Sequence, residues 1–217
     1  KGDVLEEGPF GEWTGYYCSK PEMRACVRVK SILHRNDPIL CNAPQHRPVD
    51  ETVLLKAVTG SASIWEALRL VDIPDIRGVW QHEGGVGVRF TVVSIKQRYP
   101  GHARQVLHVA SECQAGAYNG KWTVVVDDDI DHSNMNQVLW AMTTRFDPVE
   151  DIDLIRKAWA STRDPMVLPH TGNTNNRILI DACIPFHRMQ RGEFPPVVEV
   201  SPELTKTLIA KWQGILF

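Results

Sequence analysis

The sequence contains 217 residues, 43% of them hydrophobic, which is enough to bury a core and excludes an intrinsically disordered chain. Its 24 basic and 26 acidic residues give a formal net charge of −2 and are scattered along the chain, so we expect no nucleic-acid partner. No apolar run approaches the roughly 18 residues that a membrane-spanning helix needs, and the first residues lack the apolar core of a signal peptide. We therefore expect a cytoplasmic protein without a membrane partner.

The cysteines form an odd and widely spaced set without a CxxC pair. Such a set argues against a disulfide framework and against a zinc knuckle. We expect five reduced cysteines that lie mostly in the core: Cys18, Cys26, Cys41, Cys113 and Cys183.

The first 49 residues are typical of antiparallel structure. Residues 25–34 and 39–43 are β-rich runs on either side of residues 35–38, whose turn-forming types predict a four-residue hairpin loop. The sequence opens like the end of a strand that runs into a glycine-rich turn. We therefore expect it to begin inside a domain.

Helical periodicity begins at Asp50. An aspartate N-cap and a terminal glycine predict a helix from Asp50 to Gly60, and the capping-box spacing of Ser63 and Glu66 predicts a second helix directly after it. From residue 86 onwards, strands and helices alternate in a βαβα pattern, which predicts parallel strands joined by right-handed crossovers. The predicted elements are a strand over 86–96, a helix over 103–115, a strand over 121–127, a helix over 134–144, a strand over 178–180 and a last helix that begins at Ser201 and Pro202.

The segment Glu6–Tyr17 (EEGPFGEWTGYY) places three glycines, one proline and four aromatic residues around its glutamates. Glycines let a backbone approach a ligand closely, and apolar neighbours make a carboxyl group a better general acid because they raise its pKa. The alternative is a tight turn with solvated glutamates. The residues alone leave both interpretations open.

A run of carboxylates, Asp127–Asp131, directly follows the predicted strand over 121–127. Carboxylates at the carboxyl end of a parallel strand are suited to a hard cation such as Mg²⁺. Aspartate also favours strand-to-helix turns and helix caps. We favour the structural turn.

The eight histidines include no HExxH pair, which excludes a zincin site. We expect each lone histidine to be a surface or capping residue. His170 is the best exception, because it lies in the stretch Ser161–Asn176, where prolines, a glycine and asparagines break all periodicity. A loop of this length inside a compact domain is more often functional than not.

The motif EGPFGEWTGYY resembles the UbiD family of prenylated-FMN-dependent (de)carboxylases, whose members carry EGPFGE or EGPFGD followed by xTGYY. Four further segments resemble the family in the same order: RVKSILHRNDPIL, RPVDET, SIKQRYPGHARQV and VVVDDDIDHSNMNQVLWAMTTRFDP. The resemblance extends over nearly all of the sequence.

The resemblance implies an α/β fold and the C-terminal portion of such an enzyme. Residues 1–49 resemble the closing strands of the family's flavin-binding split β-barrel. Residues 50–195 resemble the smaller α/β domain that closes over the active site and mediates assembly, and residues 196–217 its tail helix. The family also implies a homodimer or a larger homo-oligomer.

The resemblance implies a reversible, non-oxidative decarboxylation of an aromatic, heteroaromatic or α,β-unsaturated acid, with CO₂ as the second product. The family's cofactors are prenylated FMN, Mn²⁺ (or Mg²⁺) and K⁺, bound mostly by the part that precedes these residues. By resemblance Glu12 is the proton donor, and Glu7 pairs with an arginine from that preceding part. The isolated fragment is then expected to bind no cofactor and to be inactive.

Lys56, early in the helix that begins at Asp50, resembles a position that borders the substrate in relatives. Relatives often carry an apolar or amide residue there, so a lysine suits either a second acidic or phenolic group of the substrate or plain solvation. The resemblance also places part of the loop near the substrate, namely Met166, Val167, Leu168 and His170. The alternative for the whole chain is a non-catalytic lid and assembly domain.

Overall fold

The computed structural model describes residues 2–18, 20–42, 44–167 and 172–216. The chain forms two compact units, Lys1–Phe186 and His187–Phe217. Within the described ranges, no helix combines the length and the apolar character needed to cross a membrane.

The first unit begins with a two-stranded antiparallel sheet. Strand β1 (Val4–Glu7) pairs with β2 (Glu22–Ala25). The predicted hairpin over residues 25–43 is wrong, since the described residues after β2 contain no strand before the first helix. Its apolar side chains are exposed, with Val27, Leu33 and Leu40 each at least 90% accessible, and a hairpin that packs on nothing is at best marginally stable.

One long helix, α1 (Glu51–Leu70), replaces the two that the sequence predicts. The Asp50 cap is confirmed: its side chain accepts a hydrogen bond from the Val53 N–H at 2.8 Å. Gly60 does not end the helix. A Cβ built there would lie 1.8 Å from Oε1 of Gln81, so this glycine permits a close approach to the sheet. Ser63 caps nothing, because its hydroxyl donates to the Thr59 carbonyl one turn earlier.

A five-stranded mixed sheet forms the centre of the first unit. The three middle strands are parallel, as predicted, and both edge strands, which the sequence patterns did not reveal, are antiparallel. In spatial order the strands are β3 (Ile76–Gln81), β4 (Phe90–Ile95), β5 (Trp122–Asp127), β7 (Thr174–Asp181) and β6 (Ile152–Trp159).

Helices cover both faces of this sheet. On one face α1 and α2 (His102–Glu112) form a core with the sheet, and on the other α4 (Met135–Thr144) does so. The short helix α3 (Gln114–Ala117) follows α2. Residues Val124–Val126 of β5 are fully buried, as predicted for a strand covered on both faces. The mixed α/β architecture is therefore confirmed.

Helix α5 (Phe186–Arg191) crosses the boundary between the units, and α6 (Pro202–Leu216) lies in the second. The predicted cap of α6 is confirmed, since the Leu204 N–H donates to the Ser201 hydroxyl oxygen at 3.1 Å. The apolar stripe of Leu204, Leu208 and Trp212 is 39–50% exposed.

Candidate active site

The EGPFGEWTGYY segment forms a tight turn at Glu12. The Glu12 N–H donates to the Tyr16 carbonyl at 3.0 Å, and the Gly15 N–H donates to the Glu12 carbonyl at 2.8 Å. Gly15 has a φ of +82°, in the left-handed region that favours glycine. The turn therefore fixes the backbone around the predicted proton donor.

Glycines also let this turn lie against residues 45–47. A Cβ on Gly11 would lie 3.0 Å from the Gln45 carbonyl oxygen, and a Cβ on Gly15 would lie 3.1 Å from Cα of Arg47. Side chains at these positions would push the turn away. The close approach that the glycines permit is thus to the chain's own backbone.

Trp13, next to Glu12, contacts two cations of the α/β region. Its side chain is buried, with Lys56 Nζ 4.3 Å and the Arg89 guanidinium carbon 5.5 Å from the centre of its ring. Burial lowers the pKa of Lys56, against the opposing influence of Asp50 and Glu12. Lys56 is therefore partly desolvated and senses the charge of Glu12.

Glu12 is half-buried and paired, whereas Glu7 is exposed. Oε1 of Glu12 lies 2.8 Å from Nε of Arg163, and the Glu12 side chain is 17% exposed. The Glu7 side chain is 56% exposed, and its ion-pair partner is Arg24, at 3.7 Å. The structure thus brings Glu12 together with Trp13 and the cations around it, and leaves Glu7 apart from that group.

Asp164 anchors the loop that carries Arg163. Its side chain is 1% exposed and lies 2.9 Å from Arg89 Nη1 and 3.1 Å from Lys121 Nζ. It also accepts the Met166 N–H at 3.0 Å. Burial acts to raise the pKa of Asp164, but the Met166 N–H and the two cations outweigh burial and hold the pKa below its usual value.

The predicted substrate-lining loop is only partly described. Met166 is 75% exposed and Val167 is partly buried, while Leu168 and His170 lie outside the described residues. The prediction that the loop extends to residue 176 is wrong, because β7 already begins at Thr174, which pairs with Trp159 of β6.

The aspartate run after β5 has a structural role, as favoured from the sequence. Asp127 accepts the Ile184 N–H at 2.7 Å and lies 3.2 Å from the Arg145 guanidinium, which also binds Asp129. The Arg145 side chain is 1% exposed. This arginine fastens the end of β5 to the end of α4.

Sequence reasoning missed the ion-pair partner of Glu12 and the charged residues that contact Trp13 or anchor the loop of that partner. They belong to separate elements, and a charged residue at a strand end or in a loop is usually solvated, so no local pattern marks it. The missed residues are Arg89, Lys121, Arg163 and Asp164.

Two family models match the chain. Residues 53–182 match the C-terminal domain of 3-octaprenyl-4-hydroxybenzoate carboxy-lyase, and residues 1–48 match the Rift-related domain of the same family. Together they cover both Glu12 and the α/β region on which its turn packs.

Solved structures of UbiD-class enzymes share the fold. The HmfF enzyme of Pelotomaculum thermopropionicum, in complex with FMN, matches 97% of this chain with a TM-score of 0.81 and 27% identity. The vanillic acid decarboxylase of Sedimentibacter hydroxybenzoicus in its closed form matches 98%, with a TM-score of 0.78 and 28% identity. An evolved dimeric form of HmfF in complex with prFMN matches 97%, with a TM-score of 0.72 and 26% identity.

The chain spans less than half of these relatives, namely 44%, 43% and 42% of their lengths. The match nevertheless runs through both family domains, and the C-terminal model alone covers more than half of the chain. The chain belongs to the UbiD family.

Proposed function

We propose that this chain is the C-terminal part of a carboxy-lyase that reversibly decarboxylates aromatic, heteroaromatic or α,β-unsaturated acids with prenylated FMN. The relatives support the chemistry, because one is a vanillic acid decarboxylase and another binds FMN and prFMN. The observation that carries the proposal for this chain is the half-buried Glu12 at the end of EGPFGE, within a group of cations.

Loss of CO₂ from such an acid leaves negative charge on carbon, which no side chain delocalises, and the flavin supplies the electron sink. The reaction also needs a proton donor and a positive charge that attracts the acidic substrate, and residues of this chain fit both needs. Glu12 offers a carboxyl group as a proton carrier, and the partly desolvated Lys56 offers positive charge to an acidic substrate. We assign the flavin contacts mainly to the domain that precedes this chain in the full-length protein.

In this proposal Glu12 donates the proton to the carbon that has lost its carboxyl group. Its half-buried position limits competition from bulk water, and its backbone is fixed by the turn. Glu7 pairs with an arginine of the preceding domain. Its exposure in the described chain leaves the carboxyl group accessible to such a partner.

The described residues do not fit the metal part of the cofactor set. Among them, no group of three or more histidine, cysteine, aspartate or glutamate side chains is placed to hold a metal ion. As the family resemblance implies, we propose that the preceding domain holds Mn²⁺ (or Mg²⁺) and K⁺.

Lys56 and the loop are the proposed determinants of substrate choice. Lys56 lies over Trp13 and is not a fully solvated helix lysine, so its ammonium group suits a second acidic or phenolic group of a substrate at this site. We propose Met166, Val167, Leu168 and His170 as further lining residues. The exposed Met166 side chain is free to contact a ligand.

Residues 1–49 are proposed to complete a split barrel, residues 50–195 to form the closing α/β domain, and residues 196–217 to dock on a partner subunit in a homodimer or larger homo-oligomer. The exposed apolar residues of the first segment, such as Leu33 and Leu40, support the proposal that this segment packs on a surface outside this chain. The exposed stripe on α6 supports the docking. The same exposed stripe favours the second candidate function, in which the chain serves only domain closure and assembly.

The test is a substrate panel. The full-length protein, matured with prenylated FMN, is incubated with aromatic, heteroaromatic and unsaturated acids, and CO₂ release and exchange of labelled CO₂ are measured. We expect turnover of at least one class of acid, and none with the isolated chain of residues 1–217. If the full-length flavoprotein turns over no acid, the carboxy-lyase proposal is wrong and the assembly role remains.

A further inference from the structure

We infer that Arg163 is a positioning residue for Glu12, and that it transmits the arrangement of the loop containing residues 161–167 to the proposed proton donor. The inference rests on the proposed function for its effect on turnover. The ion pair itself is a property of this chain alone. Its two partners belong to different family domains, because Glu12 lies in the Rift-related match and Arg163 in the C-terminal match.

The backbone of Arg163 is held from both sides. Its N–H donates to the Ser161 hydroxyl oxygen at 3.1 Å, and its carbonyl accepts a hydrogen bond from the Cys18 thiol at 3.2 Å. Cys18 belongs to the segment that follows the Glu12 turn. The loop and the turn are therefore joined by a second contact besides the ion pair.

The next residue, Asp164, fixes the loop to the sheet. It is almost completely buried between Arg89, which precedes β4, and Lys121, which precedes β5. Moving a buried carboxylate away from two cations costs free energy, because both cations would lose their counter-charge. The anchoring of Asp164 therefore restricts where the Arg163 side chain can reach.

The Glu12 side chain is restricted in turn. Ordinary surface ion pairs contribute little because both side chains move freely. Here the neighbouring Trp13 is buried and contacts Lys56 and Arg89, and the Glu12 backbone is fixed by the turn. The Glu12 side chain is 17% exposed, against 46% for Arg163, so the restriction lies mainly on the glutamate. With the backbone fixed, contact with Arg163 selects one orientation of the carboxyl group.

Lys56 does not substitute for Arg163 in this role. Its Nζ lies over the Trp13 ring, whereas the ion pair that the structure shows for Glu12 is with Arg163, at 2.8 Å. Displacing a catalytic group by about 1 Å lowers the rate of the catalysed reaction by up to about 10²-fold. Arg163 should therefore affect turnover through the orientation of Glu12 and affect substrate binding much less.

The first test uses Arg163→Met and Arg163→Lys in the full-length protein. Arg191→Met is the matched control, since Arg191 of α5 also forms an ion pair, with Glu193 at 3.8 Å, and its side chain is 68% exposed. We expect Arg163→Met to lower kcat by roughly 10-fold or more with KM changed less than about threefold, and Arg163→Lys to restore most of the lost activity. Arg191→Met should match the wild type. Arg163→Met turnover within about twofold of the wild type would overturn the inference.

The second test asks whether Arg163 acts through Glu12. If it does, Glu12→Gln combined with Arg163→Met is no slower than Glu12→Gln alone. A further loss equal to that of Arg163→Met by itself would show independent action and reject the positioning role. If Glu12→Gln does not slow the enzyme, the donor assignment of the proposed function is wrong, whatever Arg163 does.

A third readout needs no activity. The wild type, Glu12→Gln, Arg163→Met and the double variant form a thermal double-mutant cycle. We expect the losses in Tm of the two single variants to be non-additive by about 1–2 °C. Additive losses would mean that the Glu12–Arg163 pair does not form in solution. That result rejects the inference even if the carboxy-lyase proposal is correct.

Discussion

The ammonium group of Lys56 lies 4.3 Å from the centre of the ring of Trp13, the residue that follows Glu12 in the chain. Lys56 comes from α1 of the α/β region and Trp13 from the N-terminal segment. This contact, with the Glu12–Arg163 pair, brings charged residues of the α/β region to the EGPFGE motif.

The first prediction concerns the choice of substrate by Lys56. In the full-length enzyme, Lys56→Met should raise KM about 10-fold or more for acids that carry a second acidic or phenolic group, because it removes the cation that pairs with that group. Acids without such a group should be affected less than about threefold. Steady-state kinetics on matched acid pairs measure this difference, with Lys206→Met on α6 as the control. An equal loss for both kinds of acid would show that Lys56 only supports Trp13.

The second prediction concerns Gly60. Gly60→Ala gains helix propensity but places a Cβ 1.8 Å from Oε1 of the fully buried Gln81, so overpacking should prevail and lower the free energy of unfolding by about 1–3 kcal/mol. Chemical denaturation measures the change. Gly214→Ala on α6 is the matched control, since a Cβ there meets nothing within 4 Å, and it should be neutral or slightly stabilising. Stability unchanged by Gly60→Ala would mean that Gln81 yields freely.

The third prediction concerns the pH dependence of stability. Burial raises the pKa of Asp181 from 3.8 to about 6, with the Asp151 charge adding to the effect. Between these pH values the folded state retains a proton that the unfolded state releases, so stability falls as the pH rises from about 4 to 6. Asp181→Asn removes the buried charge and should stabilise the protein by about 1–3 kcal/mol at pH 7.5 and not at pH 4.

Thermal unfolding at both pH values checks the Asp181 prediction. The same substitution at Asp128, whose side chain is 43% exposed, should have little effect at either pH. A stabilisation by Asp181→Asn that is equal at pH 4 and pH 7.5 would contradict the role of the buried charge.

The fourth prediction concerns assembly through α6. The stripe of Leu204, Leu208 and Trp212 is 39–50% exposed. Burying the remaining exposed surface of each side chain would therefore contribute about half of the roughly 1.5–3 kcal/mol that full burial of a large apolar side chain gives. We expect deletion of residues 201–217 to convert a dimer into a monomer, as measured by light scattering at tens of micromolar. A full chain that is already monomeric, or a deletion that remains dimeric, would show that α6 does not hold subunits together.

Sequence patterns predicted those parts of the fold that depend on neighbouring residues. The cap at Asp50, the cap at Ser201 and the continuously apolar strand around Val125 were of this kind, and all three are confirmed. Gly60 misled because its role is set by Gln81 on a distant strand. The same limit applies to the site, where the EGPFGE motif indicated Glu12 but nothing near Arg163 marked it as the partner of Glu12.

The edge strands escaped prediction for a related reason. Strand β6 alternates poorly, since Arg156 and Lys157 fall at an irregularity in its pairing with β7 and interrupt the period of two. The predicted hairpin over residues 25–43 shows the opposite error. Its β-rich residues have the right local propensity, but no packing surface within the described chain.

The central claim is that Glu12 is the proton donor. Its most direct test is single-turnover decarboxylation by the Glu12→Gln variant of the full-length enzyme, with bound flavin quantified spectroscopically and with Glu199→Gln as the control. We predict unchanged flavin binding and a loss of roughly 10²-fold or more in rate, the scale for removing a positioned acid. A Glu12→Gln rate within about threefold of the wild type, with flavin fully bound, would contradict the claim.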